Sequence, residues 1–163
     1  MPSRLENLKM YQKILVAVDN SPIAEQVIDA ALTLAKGMDA QLMLLNILSQ
    51  NAEDSPVSFA PYASSYSIDL IEKFQEDWKQ YQQESLHKLE AWAKKAKEAG
   101  ITTEFSQRNG SPGPTICSVA QEWEAQLIII GRRGHSLANE VLLGSVSSYV
   151  IHRCHCAIHI VQL

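Results

Sequence analysis

Short continuous apolar runs alternate along this chain with segments whose apolar residues return every three or four positions. Lys13 to Val18 (KILVAV) is the first such run and ends at Asp19. A run that is apolar at every position predicts a strand covered on both faces, and so a parallel sheet. Ser21-Pro22 follows, a suitable N-cap and a residue pre-set for the first helical position. Ile23, Val27, Ala30, Ala31 and Leu34 then recur at helical spacing, and Gly37 predicts the end of that helix. Gln41 to Leu48 (QLMLLNIL) is a second buried strand, whereas Asn51 to Ser67 keeps neither period and reads as a loop.

A long amphipathic helix comes next, with Ile71, Phe74, Trp78, Tyr81, Leu89, Trp92 and Ala96 on one stripe and Gly100 closing it. At that spacing the stripe reads as core, and Lys94, Lys95 and Lys97 read as the solvated end of the helix. Ile101 to Gln107 is a third strand, less apolar than the others and therefore placed nearer an edge. Gly110 to Pro114 is a tight turn, and Ile116, Val119, Ala120 and Trp123 form one side of a further helix. Gln126 to Ile130 (QLIII) is the fourth strand, Gly131 to Gly144 a glycine-punctuated segment, Ser145 to Arg153 a short helix and Ala157 to Val161 the last strand.

Alternating strands and helices predict an α/β fold: a doubly wound, five-stranded parallel sheet with helices on both faces, joined by right-handed crossovers. If strands 1, 2 and 3 run outward one way, the chain returns past strand 1 to lay down strand 4, which gives the order 3-2-1-4-5. Ligands in such sheets sit beyond the carboxyl ends of the strands, where the strand order reverses. Here those ends are Asp19 and Gly131. Residues 1–12 read as an N-terminal extension and 13–163 as one domain, the size that a single core serves.

Composition narrows the function. The net charge of −4 over 163 residues argues against nucleic acid or an anionic membrane as the main partner, since either needs a basic field. No run approaches the roughly 18–20 apolar residues of a membrane span. Three cysteines imply no disulfide framework, so a cytoplasmic location is the economical reading.

The chemistry concentrates in Gly131-Arg132-Arg133-Gly134, nine residues, then Gly144-Ser145. A glycine leaving a buried strand permits positive φ and lets the backbone approach a ligand. Gly144-Ser145 opens a helix whose free N–H groups and dipole favour an anion, and Ser145, Ser147 and Ser148 add hydroxyl donors. The segment thus reads as a polyphosphate cradle or as a plain glycine-rich connection that caps a helix. Asp19, at the end of a buried strand, can accept from ribose hydroxyls or help to hold Mg²⁺, and can also satisfy the N–H groups of the Ser21 turn. The tail His152-Arg153-Cys154-His155-Cys156, with His159, has zinc-ligand residue types without zinc-ligand spacing. His135 lies inside the glycine segment with nothing to decide its role.

The spacing Gly-x2-Gly-x9-Gly-Ser after the fourth strand resembles the ATP-binding signature of the universal stress protein family. Lys13 to Asp19 with Asn20-Ser21 resembles that family's opening strand and Asp-x-Ser turn, Leu44 to Leu48 its second strand, and Leu143 to Val150 its closing helix. The resemblance implies an adenine nucleotide α-hydrolase-like fold and a site taken residue by residue. Ala17 and Asp19 match positions that contact adenosine and the ribose, and Ile47 a position near adenine. Gly131 and Gly134 match the loop against the ribose and phosphates, and Arg133 a position often basic in the family. Gly144, Ser145, Val146 and Ser147 match the phosphate-binding helix start. Arg132 departs from the family, where a small residue is commoner. Cys156 falls where relatives often carry a proline-flanked cysteine, here between His155 and Ala157.

The implied function is an ATP-binding, stress-response regulatory switch, with ATP (or ADP or AMP) and Mg²⁺ as ligands and Asp19 in indirect contact with the metal. One alternative is a slow ATPase or nucleotide-processing enzyme, although neither a recognised base nor a Walker Gly-x4-Gly-Lys-Ser/Thr is present. The other is a nucleotide-free dimeric interaction module. Ala157 to Val161 would be an exposed apolar edge unless paired, and the resemblance implies that it pairs with its copy in a homodimer.

Overall fold

Residues 10–50, 55–56, 68–132 and 144–162 are described by the computed structural model. Nine elements follow in order: β1 (Lys13–Val18), α1 (Ala24–Met38), β2 (Gln41–Leu48), α2 (Ile68–Glu98), β3 (Thr103–Asn109), α3 (Pro112–Glu122), β4 (Leu127–Gly131), α4 (Ser145–Arg153) and β5 (Ala157–Val161). The strands form one five-stranded sheet in the order β3-β2-β1-β4-β5, and every neighbouring pair is parallel. The expected order and parallel pairing are therefore those observed.

Successive side chains of a strand point to opposite faces, and here each face meets its own pair of helices. Ile14, Val16, Leu42, Leu44, Leu127 and Ile129 pack with α1 and the C-terminal half of α2. Leu15, Met43, Leu45, Ile128 and Ile130 pack with α3 and α4. Both layers are built mainly of apolar side chains, which is why the three central strands read as nearly continuous apolar runs. β3 lies at the edge beside β2 and is largely exposed after Thr103, as its polar composition predicts.

The local departures have local causes. Ser21 does not cap α1: the helix begins at Ala24 behind Ile23, with no side-chain cap. The Ser21 N–H instead donates to Asp19 Oδ1 at 2.9 Å, its hydroxyl donates to the same oxygen, and the Ala24 N–H closes a turn onto the Ser21 carbonyl. Helix α1 also runs through Gly37, and the left-handed residue that ends it is Asp39 (φ 53°). In α2 the buried residues are Ser85, Leu89, Trp92, Ala93 and Ala96. Ile71 is exposed and Phe74 and Trp78 only half-buried, so the first half of the apolar stripe runs beyond the sheet.

Two polar residues inside the layers join the elements. Asn46, buried in β2, donates to the Val18 carbonyl at 3.1 Å and accepts from Gln107 at 3.1 Å. Gln107 also donates to the Gln82 carbonyl of α2 at 3.2 Å. Ser85 accepts from Asn20 at 2.7 Å and donates to the Tyr81 carbonyl at 2.8 Å. These bonds tie α2 to the carboxyl ends of β1, β2 and β3, the edge of the sheet where a site is expected.

Cys117 and Cys154 are joined in a disulfide, with Cα atoms 5.4 Å apart. Three cysteines imply no disulfide framework, yet two of them form this single bridge. Composition could not reveal it, because the pair is 37 residues apart in sequence and meets only when α3 packs beside α4. Cys156 remains a thiol. No helix among the described residues is long and apolar enough to cross a membrane.

Candidate functional site

The chain turns from one half of the sheet to the other between β1 and β4, and the helices that follow these two strands, α1 and α4, lie on opposite faces. A crevice of about 520 Å³ occupies this place, inside the roughly 300–1,000 Å³ span of small-ligand sites. Its floor is apolar: Ala17, Leu45, Ile116 and Ile130. Ala17 is in register with Leu45 on one side and Ile130 on the other. Its small side chain between two branched ones leaves a dip at the end of β1.

Polar groups ring that floor. Asp19 and Ser21 form one wall, Ile47, Ser49 and Tyr81 another, and the starts of α3 and α4 the remainder. Asp19 faces the crevice while its Oδ1 holds the Ser21 turn. The bland role expected of Asp19 is therefore observed, and its place on the wall leaves the ligand-facing role compatible with it.

Two helix N-termini converge on the rim, and they are not equal. In α3, Pro112 and Pro114 have no N–H, and the Thr115 N–H already bonds the Ser111 carbonyl at 3.1 Å. Only Gly113 is left to donate. In α4 the first intrahelical donor is Ser148, to the Gly144 carbonyl at 2.9 Å, and no side chain caps the terminus. The N–H groups of Ser145, Val146 and Ser147 lack helical acceptors by geometry, and the dipole adds positive potential at the same point. An anion is better served by α4 than by α3.

Among the residues expected at the site, Ala17, Asp19, Ile47, Gly131, Gly144, Ser145, Val146 and Ser147 all border this crevice. Arg133 and Gly134, like His135, lie outside the described residues. Two expectations change in detail. Gly131 is not among the residues with positive φ; a Cβ there would lie 2.9 Å from Ile23 Cγ2 and 3.1 Å from Val27 Cγ2. Glycine is required because α1 crosses directly over it. Arg132 turns its guanidinium to Gln162 Oε1 at 3.0 Å, at the end of β5. Among the described residues no cluster of His, Cys, Asp or Glu has the arrangement of a metal site, the C-terminal tail included.

Sequence reasoning missed Ser49, Tyr81, Ser111 and Pro112. Ser111-Pro112 carries the same helix-start signal that marked Gly144-Ser145. The helical period of Tyr81 predicts a core residue, yet it lies against the crevice, where α2 reaches past the ends of the strands.

Comparison with known proteins bears on this arrangement. The sequence profile of the universal stress protein family matches residues 10–162. The universal stress protein Sll1388 of Synechocystis sp. is 34% identical over 152 residues, covering 93% of this chain and 98% of that protein. Among solved structures, a universal stress protein in complex with cAMP superposes with a TM-score of 0.61 at 23% identity, covering 94% of this chain and 98% of the other. A universal stress protein family protein of Arabidopsis thaliana with AMP bound superposes with a TM-score of 0.63 at 19% identity, covering 93% and 91%. At such identities the structural likeness speaks for the fold.

Proposed function

Because the chain belongs to the universal stress protein family, we propose that it is a cytoplasmic regulatory switch of the stress response that binds an adenine nucleotide, ATP with Mg²⁺, in the crevice between β1 and β4. The observation that carries this reading is the α4 N-terminus, with three amides that have no intrahelical acceptor at the rim of an apolar floor of nucleoside size. The cAMP and AMP found in two proteins of like fold support adenine as the base.

Each residue has a role in this reading. The dip at Ala17 and the side chain of Ile47 receive the adenosine, and Asp19 accepts from a ribose hydroxyl. The amides of Ser145, Val146 and Ser147 and the serine hydroxyls hold the phosphates, as helix N-termini do elsewhere. Gly131, Arg133, Gly134 and Gly144 complete the signature around ribose and phosphates. Bound Mg²⁺ would offset phosphate charge, with Asp19 as an indirect partner. Asp19 is the one carboxylate on the described walls, and Ser21 already engages it. Hydrolysis is accordingly expected to be slow at most.

The test separates binding from folding. Ser145 is exposed at the first position of α4, where a carboxylate stabilises a helix but repels phosphate. In isothermal titration with ATP and Mg²⁺, with AMP as competitor, the Ser145→Glu variant should bind at least tenfold more weakly, about 1.4 kcal/mol. Its melting temperature should be equal or higher. Equal affinity in the two proteins would remove the α4 terminus from the site, and no binding by the parent would remove the nucleotide.

We also propose a homodimer through β5. The Ala157 N–H bonds the Gln126 carbonyl and the Val161 carbonyl accepts from Arg132, so residues 157, 159 and 161 face β4. By the alternation of a strand, Ile158 and Ile160 turn their N–H and C=O groups outward. Ile158→Pro removes one outward donor and leaves the β4 ladder intact. Light scattering should then report a monomer; an unchanged dimer would place the interface elsewhere.

A further inference from the structure

Cys117 and Cys154 join the two helices whose N-termini form the phosphate end of the crevice. Both are only partly buried, so small reagents reach them. We propose that they form a reversible redox site, taking peroxides or low-molecular-weight disulfides as oxidants and thiols as reductants, whose state sets how firmly α4 is held at the crevice.

The chemistry balances with the reagents named. One thiolate attacks hydrogen peroxide, the O–O bond breaks, and a sulfenic acid forms as hydroxide leaves and is protonated to water. The second thiol displaces the sulfenic oxygen, which departs as a second water, and the S–S bond forms. In the reverse direction two equivalents of a thiol such as glutathione reduce the bridge through a mixed disulfide and become the oxidised disulfide.

The mechanical consequence follows from the packing. A Cβ on Gly113 would lie 2.7 Å from the Tyr149 ring, so α3 and α4 touch backbone to ring at that point. The bridge lies further along the same way, at Cys117 one turn on in α3 and at Cys154, the residue that ends α4. Contact and bridge progress in the same direction on the two helices, which are therefore roughly parallel with both N-termini at the crevice. The bridge adds a covalent point to the packed seam of α3 and α4 and holds α4 against rotation; reduction leaves the non-covalent packing alone, the Gly113–Tyr149 contact and the cluster of Ile116, Val119, Ala120 and Val150. Helix α4 has nine residues and begins with Ser145 to Ser147, so its setting moves the donors directly. Cys156 is the third sulfur, and burial pushes its thiol pKa up. A raised pKa lowers its thiolate fraction, and it serves as the internal reference.

The redox site stands on its own geometry; only its effect on ligand affinity rests on the proposed nucleotide function. The full chain is treated with hydrogen peroxide or dithiothreitol, cleared of reagent, and its thiols are counted after denaturation. One thiol is expected in the oxidised protein and three in the reduced. Closing a loop of 37 residues should raise the melting temperature by roughly 10 °C. Cys117→Ser should abolish that difference and Cys156→Ser should preserve it. Titration with ATP and Mg²⁺ should show about fivefold tighter binding by the oxidised form. Three thiols after peroxide, or a difference that follows Cys156, would overturn the site. Equal ATP affinities in the two states would overturn the coupling. A redox-dependent melting temperature with no ATP binding in either state would keep the redox site and remove the nucleotide function.

Discussion

The Gly131→Val variant is expected to lose about 3 kcal/mol of stability, lowering the melting temperature by roughly 9 °C. The cause is steric and one-sided. The position of a Cβ at residue 131 already falls 2.9 Å from Ile23 Cγ2 and 3.1 Å from Val27 Cγ2, and valine adds two methyl groups beyond it. Ile23 and Val27 are both buried, and their γ-methyl groups are fixed to the α1 backbone through one carbon. No rotation of a long side chain relieves the contact, so α1 has to move off β4. Its first turn carries the Ser21 segment, and Asp19 holds that segment through Oδ1. The same variant should therefore weaken nucleotide binding without touching a phosphate donor. A double-mutant cycle with Ile23→Ala checks the mechanism: removing the obstructing methyl should recover at least about 1 kcal/mol of the loss in denaturant unfolding. Strict additivity of the two losses would show that the clash is not with Ile23.

Gly131 also shows how much of the site was legible in the sequence. The motif singled out the right residue for an incomplete reason: glycine after a buried strand signals a close approach, but not what approaches. Here it is a helix, and only the packed structure shows that. The sheet was legible because its order follows from local runs. KILVAV, QLMLLNIL and QLIII are apolar at almost every position, and strands covered on both faces need parallel crossovers. The extent of the core along α2 was not legible. Helical period says which side of α2 is apolar, whereas the length of the sheet beneath decides how much of that side is buried. Leu89, Trp92 and Ala96 lie over strands; Ile71 does not, and Tyr81 sits at the boundary, where it becomes a wall of the crevice.

The polar joints were half legible. An asparagine within LLNIL is costly in a buried strand unless both ends of its amide find partners. Asn46 therefore requires partners, and only the packed structure names them as Val18 and Gln107. The disulfide gave no such local sign. What these two cases share is sequence distance: each bond joins residues of different elements and forms only once those elements are packed. The crevice itself is legible because the order reversal between β1 and β4 fixes its place before any side chain is considered.

The seam between α1 and α2 offers the other large effect. Two bonds cross it one turn apart: the Trp92 indole N–H donates to Glu25 Oε1 at 2.8 Å, and Lys95 Nζ meets Asp29 Oδ1 at 2.8 Å. The hydrogen bond to Asp29 raises the Lys95 pKa, yet both side chains are at least half exposed, at 50% and 64%. Such a pair contributes roughly 0.2–1 kcal/mol, so Lys95→Met should change stability by less than about 1 kcal/mol. Trp92 is a different case, being 8% exposed in the layer that also holds Leu89 and Ala96. Trp92→Ala should cost about 3–5 kcal/mol. Trp92→Phe divides that loss. It keeps most of the apolar area and gives up the indole N–H, and the exposed Glu25 returns to water when its partner goes. About 1 kcal/mol is expected for it. Chemical denaturation of the three variants, with fluorescence from the remaining tryptophans, measures this order directly. A Trp92→Phe loss as large as that of Trp92→Ala would mean that the bond to Glu25, rather than buried area, holds the two helices together.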